Sequence, residues 1–255
     1  MSESIRAVER ALDVLLCFTS QSPELNMTQI SEKVGMHKST VHRLLATLER
    51  RRFVQRDPLS GIYRPGIRLL QMSYLALGEI NFRQIAIPYM HRLQEQFRET
   101  VDLAILDGND VVFTDVVESP QRVKLAASPG QRLPACSTAS GRAILAFLPE
   151  EEAMHVCNHD YIPNKKVSLD EFLEHLRLTR ERGYSIDEEV LEAGINAVGA
   201  PILSINKKPV GSIAIAGPAY RLDHAKLNEI GLEVAKVTAQ ISRDIRFTAP
   251  SELIG

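Results

Sequence analysis

Residues 27–66 read MTQISEKVGMHKSTVHRLLATLERRRFVQRDPLSGIYRPG, and this stretch decides the fold of the N-terminal part of the chain. Its pattern predicts a short helix, a tight turn, a second helix and a β-wing. Thr28 is placed to cap the first helix, whose apolar positions are Ile30, Val34 and Met36. Gly35 supplies the turn, where φ must be positive or two helices approach closely. Ser39 and Thr40 open the second helix. There Val41, Leu44, Leu45 and Leu48 repeat at i, i+3, i+4 and i+7, which is one buried face. The other face carries Lys38, Thr40, His42, Arg43, Thr47, Arg50 and Arg51. Short polar and basic groups near the start of a half-buried helix suit the major groove of DNA. Hydroxyls and free amides there meet phosphates while longer side chains reach base edges. An ordinary amphipathic helix pair shares the apolar stripe but not the element that follows.

That element runs Phe53-Val54-Gln55-Arg56, then Asp57-Pro58-Leu59-Ser60-Gly61, then Ile62-Tyr63-Arg64. Two β-prone runs around a Pro/Ser/Gly turn make a hairpin. Arg56 and Arg64 stand at its ends, placed for phosphate or the minor groove. Arg50, Arg51 and Arg52 form a basic run. Such runs usually only solvate a surface, but this one lies between two DNA-facing elements. Upstream, residues 5–18 form an amphipathic helix, with Ala7, Val8, Ala11, Leu12, Leu15 and Leu16 expected to pack behind the other two. Residues 1–66 therefore read as a three-helix winged helix-turn-helix. They hold ten basic and seven acidic residues, a net +3, which leaves −5 for the remainder of a chain of formal charge −2. A basic head on an acidic body points the head at a polyanion.

At 255 residues, 44% of them hydrophobic, the chain can bury the core of one large or two ordinary domains. The absence of an apolar run of 18 and of a signal peptide leads us to expect a cytoplasmic protein with no membrane partner. The three cysteines, Cys17, Cys136 and Cys157, are odd in number and lack metal-type spacing, which disfavours a disulfide framework.

After the wing, residues 67–80 (IRLLQMSYLALGEI) are a mostly apolar helical stretch, too short to span a membrane. The stretch reads either as a connector that joins two copies of the protein or as a buried helix of one domain. It is expected to run into a second helix, 82–98, broken at Pro88. From Thr100 the period changes to that of strands. Residues 101–106 and 111–117 flank the hairpin turn Asp107-Gly108-Asn109, and 123–127 reads as a third strand. Helices follow at 137–148, 150–158 and 168–182, the last with Ser168 as cap and Glu171 at the capping-box position. Strands at 184–187, 195–204 and 210–217 come next, the last two joined at Asn206-Lys207-Lys208-Pro209. A helix at 223–245 ends the pattern. This order describes a mixed α/β, α+β domain with an antiparallel sheet and flanking helices. The domains expected are the head 1–66, a connector 67–81, a second domain 82–247 and a tail 248–255.

The sequence resembles the IclR family of bacterial transcription regulators. The resemblance is carried by KSTVHRLLATLE, by GIYRPG at the end of the wing, and by GQRLPACSTASGRAILAF. It continues in GYSIDEEVLEAGINAVGAPIL and in GSIAIAGP after it. In this order and spacing the pieces cover nearly the whole chain. The resemblance implies a GAF-like effector domain, a homodimer or dimer of dimers, a pseudo-palindromic double-stranded DNA operator, and a small organic acid as effector. The open helix face and the wing ends read above place the DNA contacts at Lys38, Ser39, Thr40, His42, Arg43, Arg56 and Arg64. The resemblance places the effector carboxylate on the amides of Ala139 and Ser140, at a helix start where small residues let an anion approach. Asp187 matches a pocket acid that bonds the polar end of the ligand, and Leu125 and Leu133 match its apolar walls. Ala197, Ala214 and Ala216 stand where better known members have Cys or Ser, and Val190 stands where the family expects an acid. A pocket with fewer hydroxyls and more room favours a larger or aromatic acid.

Other constellations are weaker. His155, Cys157 and His159 do not share one helix face and lack a fourth ligand, so no metal and no cofactor is expected. Glu188 and Glu189 read as surface charge. Cys136, near a helix start, reads as a reactive thiol or, more plainly, as a buried inert one. Two rival functions follow: a redox-responsive DNA-binding regulator using Cys136, and a GAF-domain enzyme with an accessory DNA-binding head. With no nucleophile triad and no phosphate loop in view, an enzyme is disfavoured.

Overall fold

The computed structural model describes residues 5–19, 21–76, 82–157 and 169–248. The chain divides into two compact units, Met1–Glu79 and Ile80–Gly255.

The first unit contains α1 (Arg6–Leu16), α2 (Met27–Val34), α3 (Lys38–Arg50), the hairpin β1 (Val54–Arg56) and β2 (Tyr63–Pro65), and α4 (Ile67–Ala76). The cap of α2 is Asn26, not Thr28. Asn26 and Gln29 exchange hydrogen bonds in a capping box, 2.8 and 3.0 Å long, so Thr28 lies inside the first turn. Gly35 ends that helix at φ 62°, as a left-handed cap, and leaves Met36 beyond the helix. Val14, Leu25, Ile30, Val41, Leu45, Leu48, Val54 and Tyr63 form one core. The expected buried face of α1 is corrected. Val14 turns inward, whereas Val8 (53% exposed), Leu12 (52%) and Leu16 (76%) face outward with Ile5. The helix has more apolar width than two neighbours can cover, and the core takes the Val14 side.

The second unit contains α5 (Phe82–Phe97), β3 (Thr100–Asp107), β4 (Asp110–Val117), β5 (Arg132–Pro134), α6 (Ala139–Leu145), α7 (Glu150–Val156), α8 (Leu169–Arg182), β6 (Ser185–Glu188), β7 (Ile195–Leu203), β8 (Pro209–Pro218) and α9 (His224–Thr248). One antiparallel sheet runs in the order β5-β4-β3-β8-β7-β6. Alternate residues serve two cores. Val101, Leu103, Val198, Ile213 and Ile215 pack under α5 and α9. Ala104, Val111 and Phe113 pack on the other face, under α6, α7 and α8.

Several sequence expectations are corrected here. Pro88 does not break α5, because Gln84, whose carbonyl loses its partner, is exposed to water while Phe82, Ala86, Met90 and Leu93 hold the buried stripe. Residues 123–127 are not a strand; the third strand of that edge is β5. The helix expected at 137–148 is shorter, capped by Thr138, and preceded by a 3₁₀ turn at Ala135–Ser137. Cys136 and Cys157 form a disulfide across 21 residues of sequence, with Cα atoms 5.8 Å apart. That 3₁₀ turn and the end of α7 meet in one core layer, a contact that cysteine counting does not reveal. The Ser168 cap and His159 lie outside the described residues. Among the described residues no helix is long and apolar enough to cross a membrane, and no group of three His, Cys, Asp or Glu is arranged to hold a metal.

Candidate functional site

The first unit presents α3 with one face buried and the other open. Lys38, Ser39, His42 and Arg43 are exposed, and Thr40 is half-buried. His37 is the cap of α3, a role its sequence position does not announce. Its Nδ1 accepts from the backbone N–H of Ser39 at 3.4 Å and lies 2.9 Å from the Ser39 hydroxyl. The wing is held by Asp57, whose carboxylate accepts from the N–H groups of Leu59 and Ser60 at 2.8 and 2.9 Å. These bonds hold its pKa below the usual carboxylate range. Leu25 bridges to Tyr63, which brings Glu24 beside Arg64 in a half-exposed ion pair of 3.0 Å. Arg56 lies over the Tyr63 ring, 5.8 Å from its centre. Both wing arginines therefore have protein partners, of a kind that exposed pairs exchange at little cost.

The second unit holds a cavity between its sheet and the start of α6, with ≈ 670 Å³ of atom-free space including its mouth. Leu125, Leu133, Ala139, Ser140, Asp187, Ala197, Ala214 and Ala216 all line it. The sheet register explains why residues so far apart meet. Asp187 pairs with Ala197, Ala197 with Ala216, and Ala216 with Thr100. The next row on the same face is Ser185, Gly199, Ala214 and Asp102. The floor is therefore a patch of small residues with an aspartate at each end. Gly199 lets α6 sit directly on this floor, since a Cβ there would lie 2.9 Å from the backbone of Ala139. The Ser185 hydroxyl ties down the Ala139 carbonyl at 2.5 Å. The segment expected as a strand, with Leu125, Ala126 and Ala127, instead forms part of the cavity wall. Its attachment is the Thr100 hydroxyl, which donates to the Leu125 carbonyl at 3.2 Å.

The polar groups deepest in the cavity, Asp102, Ser140 and Asp187, are buried, whereas Glu192 is exposed. Asp187 is 4% exposed; it accepts from the N–H of Val190 at 2.9 Å and lies 3.6 Å from Arg142. Burial raises its pKa and the Arg142 guanidinium opposes the rise. Arg142, on α6, is itself buried, which lowers its pKa. It donates to the Ile186 carbonyl at 3.0 Å and stays charged. His175 on α8 shares that carbonyl, and burial lowers its pKa, with Arg142 adding to the effect. Asp102, at the other end of the floor, accepts from the Ser140 hydroxyl at 2.8 Å, and burial pushes its pKa up to about 7. Asp102 and Arg142 escaped the sequence reading. The available signal was a lone charge inside an apolar run, in TVDLA and in ASGRAIL.

A winged head and a separate small-molecule cavity define a class, that of regulators with a DNA-binding unit and an effector unit. The family model described as bacterial transcriptional regulator IclR C-terminal matches residues 74–243, and the IclR helix-turn-helix domain matches residues 7–58. The chain belongs to the IclR family of bacterial transcription regulators. It is 30% identical to the HTH-type transcriptional regulator XynR of Escherichia coli, over 96% of this chain and 99% of that protein. The crystal structure of Thermotoga maritima IclR superposes with a TM-score of 0.74 at 29% identity, covering 95% of this chain and 99% of the other. An IclR homologue from Microbacterium hydrocarbonoxydans, complexed with 4-hydroxybenzoate, shares the fold with a TM-score of 0.75 at 24% identity, over 93% of this chain and 99% of that one.

Proposed function

We propose that a homodimer of this chain binds a pseudo-palindromic operator and that an organic acid, larger than pyruvate, occupies the cavity and alters operator affinity. Lys38, Ser39, Thr40, His42 and Arg43 meet the major groove, and Arg56 and Arg64 meet flanking phosphates. The observation that carries the effector half is the single cavity shared by all eight residues from Leu125 to Ala216 named above. Its alanine floor lacks hydroxyls, and a two- or three-carbon acid leaves that floor unfilled. The acid's carboxylate docks at the amides of Ala139 and Ser140, and Asp187 holds a polar group at the other end. Arg142 braces Asp187 from behind. The Microbacterium homologue, with its aromatic acid, supports the choice of size. Dimerisation is supported by the outward apolar stripe Ile5, Val8, Leu12 and Leu16 on α1. Calorimetry with 4-hydroxybenzoate and pyruvate tests the reading: 4-hydroxybenzoate binds more tightly, and tighter binding of pyruvate overturns the size argument.

A second reading, redox response through Cys136, is favoured by one observation. Cys136 is bonded to Cys157 and stands two residues before Thr138, the cap of the helix that roofs the cavity. Operator binding compared with and without a thiol reductant tests it; equal affinities remove it.

A further inference from the structure

The cavity contains a charged group that the reading above does not use. Asp102 sits at the β3 end of the floor, 3% exposed, and lines the cavity. Its strand partners there are Ala214 and Val116, and neither offers a side-chain hydrogen bond. A buried carboxyl held for packing alone is costly and is normally matched by a cation. The buried cation nearby, Arg142, lies against Asp187 instead. Three strand spacings, about 14 Å, separate the backbones of Asp187 and Asp102. They therefore stand at opposite ends of the cavity floor. What Asp102 does have is Ser140, whose hydroxyl donates to it at 2.8 Å.

We infer that Asp102, braced by Ser140, is a second polar anchor of the effector cavity, and that it selects acids carrying a hydroxyl on the carbon beside the carboxylate. The inference rests on the proposed docking of an effector carboxylate at Ala139 and Ser140. A carboxylate at the Ser140 amide brings the adjoining carbon close to the Ser140 side chain, and so to Asp102. A hydroxyl on that carbon donates to an ionised Asp102 and accepts from Ser140 or from a protonated Asp102. It suits both charge states of a carboxyl whose pKa burial raises to about 7. An unsubstituted acid leaves the Asp102–Ser140 pair without a partner. A second carboxylate on the ligand fares worse. The described lining carries the carboxyls Asp102, Asp187 and Glu192, with Gln131, Thr138 and Ser140, and no Lys, Arg or His among them. No lining cation is there to compensate a second negative charge.

Three probes share one phenyl body and differ only on the α-carbon: phenylacetate, mandelate and phenylmalonate. The full-length chain is titrated with each by calorimetry at pH 7. Mandelate binds at least tenfold tighter than phenylacetate, and phenylmalonate binds more weakly than either. In Asp102→Ala the preference for mandelate over phenylacetate falls to less than threefold. Ser140→Ala lowers the preference at least threefold and serves as the reading should Asp102→Ala fail to fold. Equal binding of mandelate and phenylacetate by the unsubstituted protein overturns the inference. So does a preference that survives Asp102→Ala while Asp187→Asn abolishes binding; that outcome leaves the cavity reading standing. Failure of all three probes to bind the unsubstituted protein overturns this inference; the cavity reading falls with it only if 4-hydroxybenzoate also fails to bind.

Discussion

Asp187 and Asp102 are both buried acids on one sheet face, yet their surroundings give them different work. Asp187 is clamped between Arg142 and the N–H of Val190. Removing its side chain strands a buried guanidinium, which typically costs about 3–5 kcal/mol. Asp187→Ala therefore loses effector response and also lowers the melting temperature of the second unit. Asp187→Asn keeps the side-chain volume but, being neutral, also leaves Arg142 without its counter-charge; its effector response is therefore read beside its melting temperature and its effector-free DNA binding, which stays unchanged. A normal effector response in Asp187→Asn removes Asp187 from the site. Asp102 has no such cation. Its pKa rises from 3.8 to about 7 on folding, so the folded state holds the proton more tightly than the unfolded chain. Its contribution is neutral at low pH, and stability is then lost as pH rises from about 4 through 7, by up to about 4 kcal/mol. Asp187 and Glu192 across the cavity act in the same sense when ionised, and Arg142 opposes them. Asp102→Asn flattens this dependence: urea denaturation gives a variant whose stability relative to the unsubstituted protein is higher at pH 8 than at pH 5. Equal differences at the two pH values sink the assignment. The sequence pointed to Asp187 only through a family motif. It left Asp102 unremarked because a single acid in TVDLAILD reads as the polar side of an alternating strand. Which acid faces a cavity is set by partners three strands away.

At the scale of elements, α3 and the wing divide the reading of DNA. Arg43 stands exposed on the open face of α3, whereas Arg64 is on the wing and paired with Glu24. Arg43→Ala weakens specific binding by about 1–3 kcal/mol and leaves random DNA nearly untouched if Arg43 reads a base. Arg64→Ala weakens all sequences alike and makes binding less steeply dependent on salt. Gel-shift titrations on operator and random duplexes at several salt concentrations separate the two. Equal losses on both duplexes for Arg43→Ala exclude base reading. Elements of this kind were the legible part of the chain. The stripe Val41, Leu44, Leu45, Leu48 and the hairpin around Asp57–Gly61 are local signals, set by 3.6-residue period and turn chemistry. The misread pieces were those decided by distant contacts. Residues 123–127 have strand-like composition but give their Leu125 carbonyl to Thr100 rather than to a neighbouring strand. Asn26 outcompetes Thr28 as a cap because Gln29 can answer it. Pro88 is tolerated because Gln84 faces water.

At the scale of the whole molecule, the outward stripe on α1 carries the last prediction. Ile5, Val8, Leu12 and Leu16 follow one another at spacings of three and four, so they share one helix face. Leu16 is 76% exposed and Leu12 is 52% exposed, which a solitary winged head has no reason to maintain. Scattered exposed leucines are ordinary, but a four-residue row is a contact surface. Its companion must be apolar, and a second copy of α1 meets that need by two-fold symmetry. Two heads joined in this way read two half-sites, whereas one head buries too little surface for tight specific binding. The core of the head stands on Val14, Ile30, Val41 and Leu45, so charging the stripe leaves folding intact. The double variant Leu12→Glu/Leu16→Glu is therefore expected to keep its helical circular dichroism and its melting temperature within a few degrees. In sedimentation it shifts toward smaller species, and its operator affinity falls at least tenfold. Binding to random DNA, which depends on the basic face of each head, falls far less. A double variant that sediments unchanged and binds the operator normally shows that the stripe is not where two copies meet.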